Sequence, residues 1–93
     1  MIAEYIREKI ITNVFEEVPH SVGVEVVEYH SSSKKTIDKI YAIAYVEKKS
    51  QKGILIGNEG ATIKKISTEA RLDLEKLLGT RVFLDLEVKL KKD

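Results

Sequence analysis

Apolar residues recur every three or four positions at the start of the chain, change to every second position further on, and then repeat both rhythms. Ile2, Ile6, Ile10 and Val14 are four apart, with Ile11 and Phe15 beside them. That stripe predicts an amphipathic helix over 2–16. Pro19 ends it, because the residue before a proline is pushed out of the α region. From Val22 the period is two: Val22, Val24 and Val26 alternate with Gly23 and Glu25, which reads as a strand. Val27 and Tyr29 fall in the opposite phase, so a bulge or strand end is expected at 26–28. The polar run "HSSSKKT" (30–36) reads as a turn and is where disorder is expected. Residues 38–47 read as a second strand, with Ile40, Ala42, Ala44 and Val46 on one face and Tyr41, Ile43 and Tyr45 on the other. Two apolar faces suggest a central strand.

The basic stretch "EKKSQK" reads as a loop, and "GILIG" offers about one helical turn. Ile63, Ile66, Ala70, Leu74 and Leu77 then mark a helix over 61–78, closed by Gly79 as its C-terminal glycine. In the last strand Val82, Leu84, Leu86, Val88 and Leu90 alternate with Phe83, Asp85, Glu87 and Lys89. The order α-β-β-α-α-β implies an α+β fold: a three-stranded mixed sheet with its helices on one face. The first two strands should form an antiparallel hairpin. The helical crossover should make the second and third parallel.

Composition changes the picture only by exclusion. A chain of 93 residues fits a single domain, with no room for a large enclosed active site. Its 43% apolar and 33% charged residues are ordinary for a globular domain. No apolar run reaches the roughly 20 residues a bilayer span needs. Met1 leads into Glu4, Arg7 and Glu8, which is not a secretory signal pattern. The absence of cysteine rules out disulfides and thiolate metal sites, and suits the cytosol. His20 and His30 lack the spacing of a zinc pair, so no metal site is expected. His20 is expected to hydrogen-bond backbone at the helix-to-strand turn. Asp85 and Glu87 read as the polar face of a half-buried strand, and no nucleophile-base arrangement appears, so no catalytic residue is expected. Tyr41 and Tyr45 could stack bases, but packing against the helices is the simpler expectation. Arg71 is placed to pair with Glu75.

Charge is unevenly distributed. Residues 48–71 hold Lys48, Lys49, Lys52, Lys64, Lys65 and Arg71 against Glu59 and Glu69, a local +4 in a chain whose formal net charge is +1. At the centre of that segment lies "GILIGNEGATIKKI" (53–66), where Gly57 and Gly60 interrupt a helical pattern. Glycine supplies positive φ and admits close approach of a partner's backbone. The free N–H groups and dipole of the helix that follows favour an anion. Lys64 and Lys65 stand one turn inside that end, where the dipole disfavours positive charge, and this points to an external anion such as phosphate. A nucleotide P-loop is excluded, because G-x-x-x-x-G-K-[ST] occurs nowhere. The glycines do not form a dinucleotide fingerprint either. A plain tight corner between two helices stays open on these residues alone.

The element order, with I-G-x-x-G-x-x-I between the later helices, resembles the type II KH domain. The stretches "EEVPHSV" (16–22), "SQKGILIGNEGATIKKI" (50–66) and "TEARLDLEKLLGTRVFLDLEVKLKKD" (68–93) resemble more closely the C-terminal KH domain of the Era family of ribosome-assembly GTPases. The resemblance covers almost the whole chain apart from 30–40. It implies a non-enzymatic, cofactor-free, monomeric module that binds single-stranded RNA near the 3′ end of small-subunit ribosomal RNA. It further implies a cytoplasmic parent protein, peripheral at times to the inner membrane, whose GTPase domain is not in this sequence. Carried over, Gly57, Asn58, Glu59 and Gly60 would meet the RNA backbone, and Ile54, Ile56 and Ile63 would floor the base groove. Lys52, Lys64 and Lys65 would add charge. KH domains grip about four nucleotides in this way. Family loops commonly carry a basic residue between the glycines, and Glu59 departs from that. A KH fold that docks a protein, or serves an attached GTPase domain, is therefore the alternative.

Overall fold

Ile6, Ile10 and Val14 are buried along one side of the first helix, α1 (Ile2–Val14), as the spacing of four requires. The computed structural model describes residues 1–14, 18, 22–31, 34 and 36–91. The expectations for Phe15, Pro19 and His20 therefore lie outside the described residues, as does part of the 30–36 turn. After α1 come strands β1 (Gly23–Ser31) and β2 (Asp38–Val46), helix α2 (Lys49–Ile56), a 3₁₀ turn at Asn58–Gly60, helix α3 (Ala61–Leu78) and strand β3 (Val82–Leu90).

The sheet order is β1-β2-β3, so β2 is central. β1 and β2 are antiparallel, and β2 and β3 are parallel with Ile40 opposite Leu84 and Ala42 opposite Leu86. The phase change in β1 is a bulge: Val26 pairs with Ala42 and Glu28 with Tyr41, leaving Val27 as the extra residue. Alternation places Ile40, Ala42, Ala44 and Val46 inward, where they meet Ile6, Ile10, Leu55, Ile66, Ala70 and Leu74 from the three helices in one core. All helices thus cover one face of the sheet, the expected α+β arrangement.

Polar contacts hold α1 to α3. Lys9 Nζ lies 2.9 Å from Asp73 Oδ2, and Asn13 Nδ2 donates to Glu69 Oε1 at 3.0 Å. Arg71 reaches Glu75 at 3.1 Å as the i, i+4 spacing implied. The same Glu75 oxygen also accepts the backbone N–H of Val82 at 2.9 Å, fastening the start of β3 to α3. Gly79 ends α3 at φ 69°, ψ 25°, its N–H donating to the Glu75 carbonyl.

Three expectations are corrected. The "EKKSQK" stretch is mostly helix: α2 begins at Lys49, and Gln51 Oε1 accepts the N–H groups of Glu47 and Lys48 at 3.1 Å each. Lysine and glutamine are good helix formers, and this cap starts the helix before its apolar face appears. Leu77 points to solvent, and it is Leu78 that packs on the core. Tyr41 and Tyr45 do not pack against helices. They stand with Ile43 on the helix-free face of the sheet, half-buried only by their neighbours.

Candidate nucleic-acid interface

Leu55 is fully buried and anchors α2, while Ile54 and Ile56 are half-buried and pack at the margin of the core. α2 then stops at Gly57, whose N–H donates to the Gly53 carbonyl at 2.9 Å. Gly57 has φ 76° and ψ −179°, a conformation open in practice only to glycine. Space demands glycine as well. A Cβ there would run into the Thr62 side chain and come within 2.8 Å of the Thr62 backbone nitrogen.

The turn closes with the Gly60 N–H donating to the Gly57 carbonyl at 3.2 Å. Gly60 is left-handed (φ 78°, ψ 13°) and caps α3 without a side-chain acceptor. Glu59 is left-handed too (φ 54°, ψ 29°), the one non-glycine residue with positive φ among those described. The loop is thus held by backbone geometry, and the Asn58 and Glu59 side chains are exposed at its tip.

The residues expected at the site fall on the two helices that meet at this turn and on the turn itself. Ile63, one turn into α3, is half-buried and packs against the core, as Ile54 and Ile56 do. Lys64 and Lys65 project into solvent on the first turns of α3, and Lys52 is half-buried on α2. Because Lys48 and Lys49 cap and open α2, the basic cluster belongs to a helix pair rather than a loose loop. Both α2 and α3 pack on β3, which is an edge strand with one row of backbone groups unpaired inside the sheet. The arrangement presents an exposed turn flanked by lysines and by half-buried isoleucines.

Sequence reasoning missed Thr62 and the strained Glu59. Thr62 fills the space a Cβ would occupy at Gly57. A β-branched residue two places after the second glycine is the only signal of it, and a weak one. Nothing in one sequence marks Glu59 as left-handed, since glutamate rarely adopts that region. His30 is exposed and 3.1 Å from Glu28, and no three potential metal ligands converge among the described residues.

Comparison with known proteins gives one family. The model of the KH domain, of the KH_2 type, matches residues 17–93. GTPase Era of Carboxydothermus hydrogenoformans is 48% identical over 93 residues, covering all of this chain and 31% of that protein. GTPase Era of Ruminiclostridium cellulolyticum is 50% identical over 91 residues, covering 98% of the chain and 30% of the protein. The chain thus spans about a third of the length of these relatives. Among solved structures, a variant of Aquifex aeolicus Era bound to GDP·AlF4− superposes with a TM-score of 0.90 at 35% identity, covering 99% of this chain and 31% of that one. Era in complex with MgGDPNP and nucleotides 1506–1542 of 16S ribosomal RNA superposes equally well, with TM-score 0.90, 35% identity and the same coverage. The left-handed glycines, the helix pair they join and the mixed three-stranded sheet therefore have a common explanation: the chain belongs to the KH domain family.

Proposed function

We propose that this chain is a non-catalytic, single-stranded-RNA-binding module, and that its ligand is the 3′ region of small-subunit ribosomal RNA during assembly of that subunit. The observation that carries this reading is the Gly57–Gly60 turn, an exposed loop of positive-φ backbone between two lysine-bearing helices. The Era structure with 16S nucleotides supports the choice of RNA. Gly57, Asn58, Glu59 and Gly60 meet the RNA backbone; Lys52, Lys64 and Lys65 neutralise phosphates; Ile54, Ile56 and Ile63 floor the groove. Splayed bases fit such a groove, whereas a duplex hides their Watson–Crick edges. The module acts as a monomer in the cytoplasm. Nucleotide hydrolysis belongs to the parent protein, in a domain outside this sequence.

Binding of a single-stranded oligoribonucleotide, with a duplex of the same sequence as control, tests the reading. Two or three neutralised phosphates give a slope of log K against log salt of about −1.5 to −2. Asn58→Asp with Glu59→Asp should abolish binding and leave the domain folded, since both side chains are exposed and aspartate tolerates the left-handed backbone at position 59. Unchanged binding by the folded double variant, or equal affinity for duplex, would refute it.

A further inference from the structure

The helix-free face of the sheet is not the polar surface that a one-sided sheet ordinarily presents to water. Down its middle run Tyr41, Ile43 and Tyr45 of β2, all half-buried, with nothing packed over them among the described residues. Phe83 extends this apolar strip onto β3. It is 44% exposed, and its ring centroid lies 5.8 Å from that of Tyr41. His30 meets Tyr41 edge-on from β1 at 6.2 Å.

Carboxylates flank the strip on both sides. The register sets Glu28 and Asp85 on either side of Tyr41, and Glu25 and Glu87 on either side of Ile43. Among the paired residues of the three strands, four carboxylates stand against Lys39 and Lys89 on this face. Part of the acid is already engaged: Glu25 accepts the Tyr45 hydroxyl at 3.0 Å, Glu28 Oε2 lies 3.1 Å from the exposed His30 Nε2, and Glu87 lies 3.9 Å from Lys89. The bulge at Val27 helps shape a shallow recess of about 200 Å³ over the strip, bordered by Glu28, Tyr41, Ile43, Asp85 and Glu87. An aromatic floor between carboxylates suits a guanidinium, which stacks on a ring while donating in its plane to carboxylate oxygens.

We propose that this face docks a basic protein segment, with an arginine side chain seated on Tyr41 between Glu28, Asp85 and Glu87. Charge complementarity selects that occupant over the other classes. Nucleic acid and anionic lipid are repelled by the carboxylates, and a purely apolar partner would leave them desolvated and unpaired. The face also lies on the opposite side of the sheet from α2 and α3, so a protein partner and RNA can be held together. The inference does not depend on RNA binding.

The test uses the 93-residue chain with nona-arginine and nona-lysine as probes, followed by amide chemical shifts and a titration. Nona-arginine should shift Val27, Tyr41, Ile43, Asp85 and Glu87, and bind several-fold more tightly than nona-lysine. Asp85→Lys with Glu87→Lys should weaken nona-arginine at least tenfold. Tyr41→Leu should erase the preference for arginine over lysine. The Asn58→Asp/Glu59→Asp variant should bind the peptide as the parent chain does, whatever becomes of its RNA binding. Several results would overturn the proposal: shifts spread equally over α1 and α3, no binding at millimolar peptide, or charge reversal without effect. So would concentration-dependent self-association abolished by the charge reversal, which would make the occupant a second copy.

Discussion

Glycines at positions 57 and 60 look equivalent in the sequence, yet different physics requires each. At Gly60 a Cβ would meet open space, so only its φ of 78° resists a side chain. Gly60→Ala should cost about 1–2 kcal/mol. Gly57→Ala adds a collision with Thr62 to an unfavourable backbone, so it should cost more, towards the upper end of about 1–3 kcal/mol. Chemical denaturation of the two variants checks the order, and an inverted order would mean that the loop relaxes around Thr62. Glu59 holds a left-handed backbone without glycine's freedom. Asparagine tolerates that region far better, so Glu59→Asn should stabilise the domain by about 0.5–1 kcal/mol. It should also bind RNA more tightly, because a carboxylate about 6 Å from a phosphate repels it by roughly 0.7 kcal/mol in water. Glu59→Lys should gain about threefold in affinity once salt screening is counted, without the backbone relief. Titration and a melting curve on both variants separate charge from strain. If Glu59→Asn binds RNA less well, the carboxylate contacts RNA favourably.

Each element depends on a few contacts made between elements. Glu75 is the clearest case, joining Arg71 on its own helix to the first N–H of β3. Glu75→Ala orphans the half-buried Val82 connection and should cost about 1–2 kcal/mol. Arg71→Ala removes only a partly exposed pair and should cost under about 0.5 kcal/mol. Urea midpoints of the two variants decide whether the strand anchor or the ion pair matters. These contacts also explain what could be read from the sequence. Ile6, Ile10 and Val14, the bulge at Val27 and the whole of β3 were legible, because burial imposes its period directly on the residues. The Gly57–Gly60 turn was legible because glycine is nearly diagnostic of its conformation. The start of α2 was not, since its first turn is solvated and held by one glutamine cap that leaves no apolar rhythm. Tyr41 and Tyr45 misled for the opposite reason: an apolar period says which face a residue is on, but not whether anything covers that face.

At the scale of the whole molecule, a basic helix pair and an acidic sheet face lie on opposite sides of one small core, and three polar links tie the periphery together. The Tyr29 hydroxyl donates to Asp38 at 2.6 Å, the Tyr45 hydroxyl donates to Glu25, and the Lys9 ammonium meets Asp73. Each carboxylate holds its partner's proton, so all three groups titrate higher than usual, the hydrogen bond being the largest cause in every case. A group whose pKa is raised by folding adds stability while protonated in both states, and loses it as pH climbs through the folded value. The contribution is therefore complete below the ordinary values of 10.0 for tyrosine and 10.5 for lysine, and it disappears only above them. Stability should be level for these groups from neutrality to about pH 9 and fall beyond pH 10. The Tyr29→Phe/Tyr45→Phe variant lacks both hydroxyls. It should start less stable at neutral pH and show a shallower alkaline decline, leaving Lys9 to supply the remainder. Urea midpoints of the parent and the variant at pH 7, 9, 10 and 11 make the comparison. Parallel declines in the two proteins would show that the tyrosine–carboxylate links do not govern alkaline unfolding.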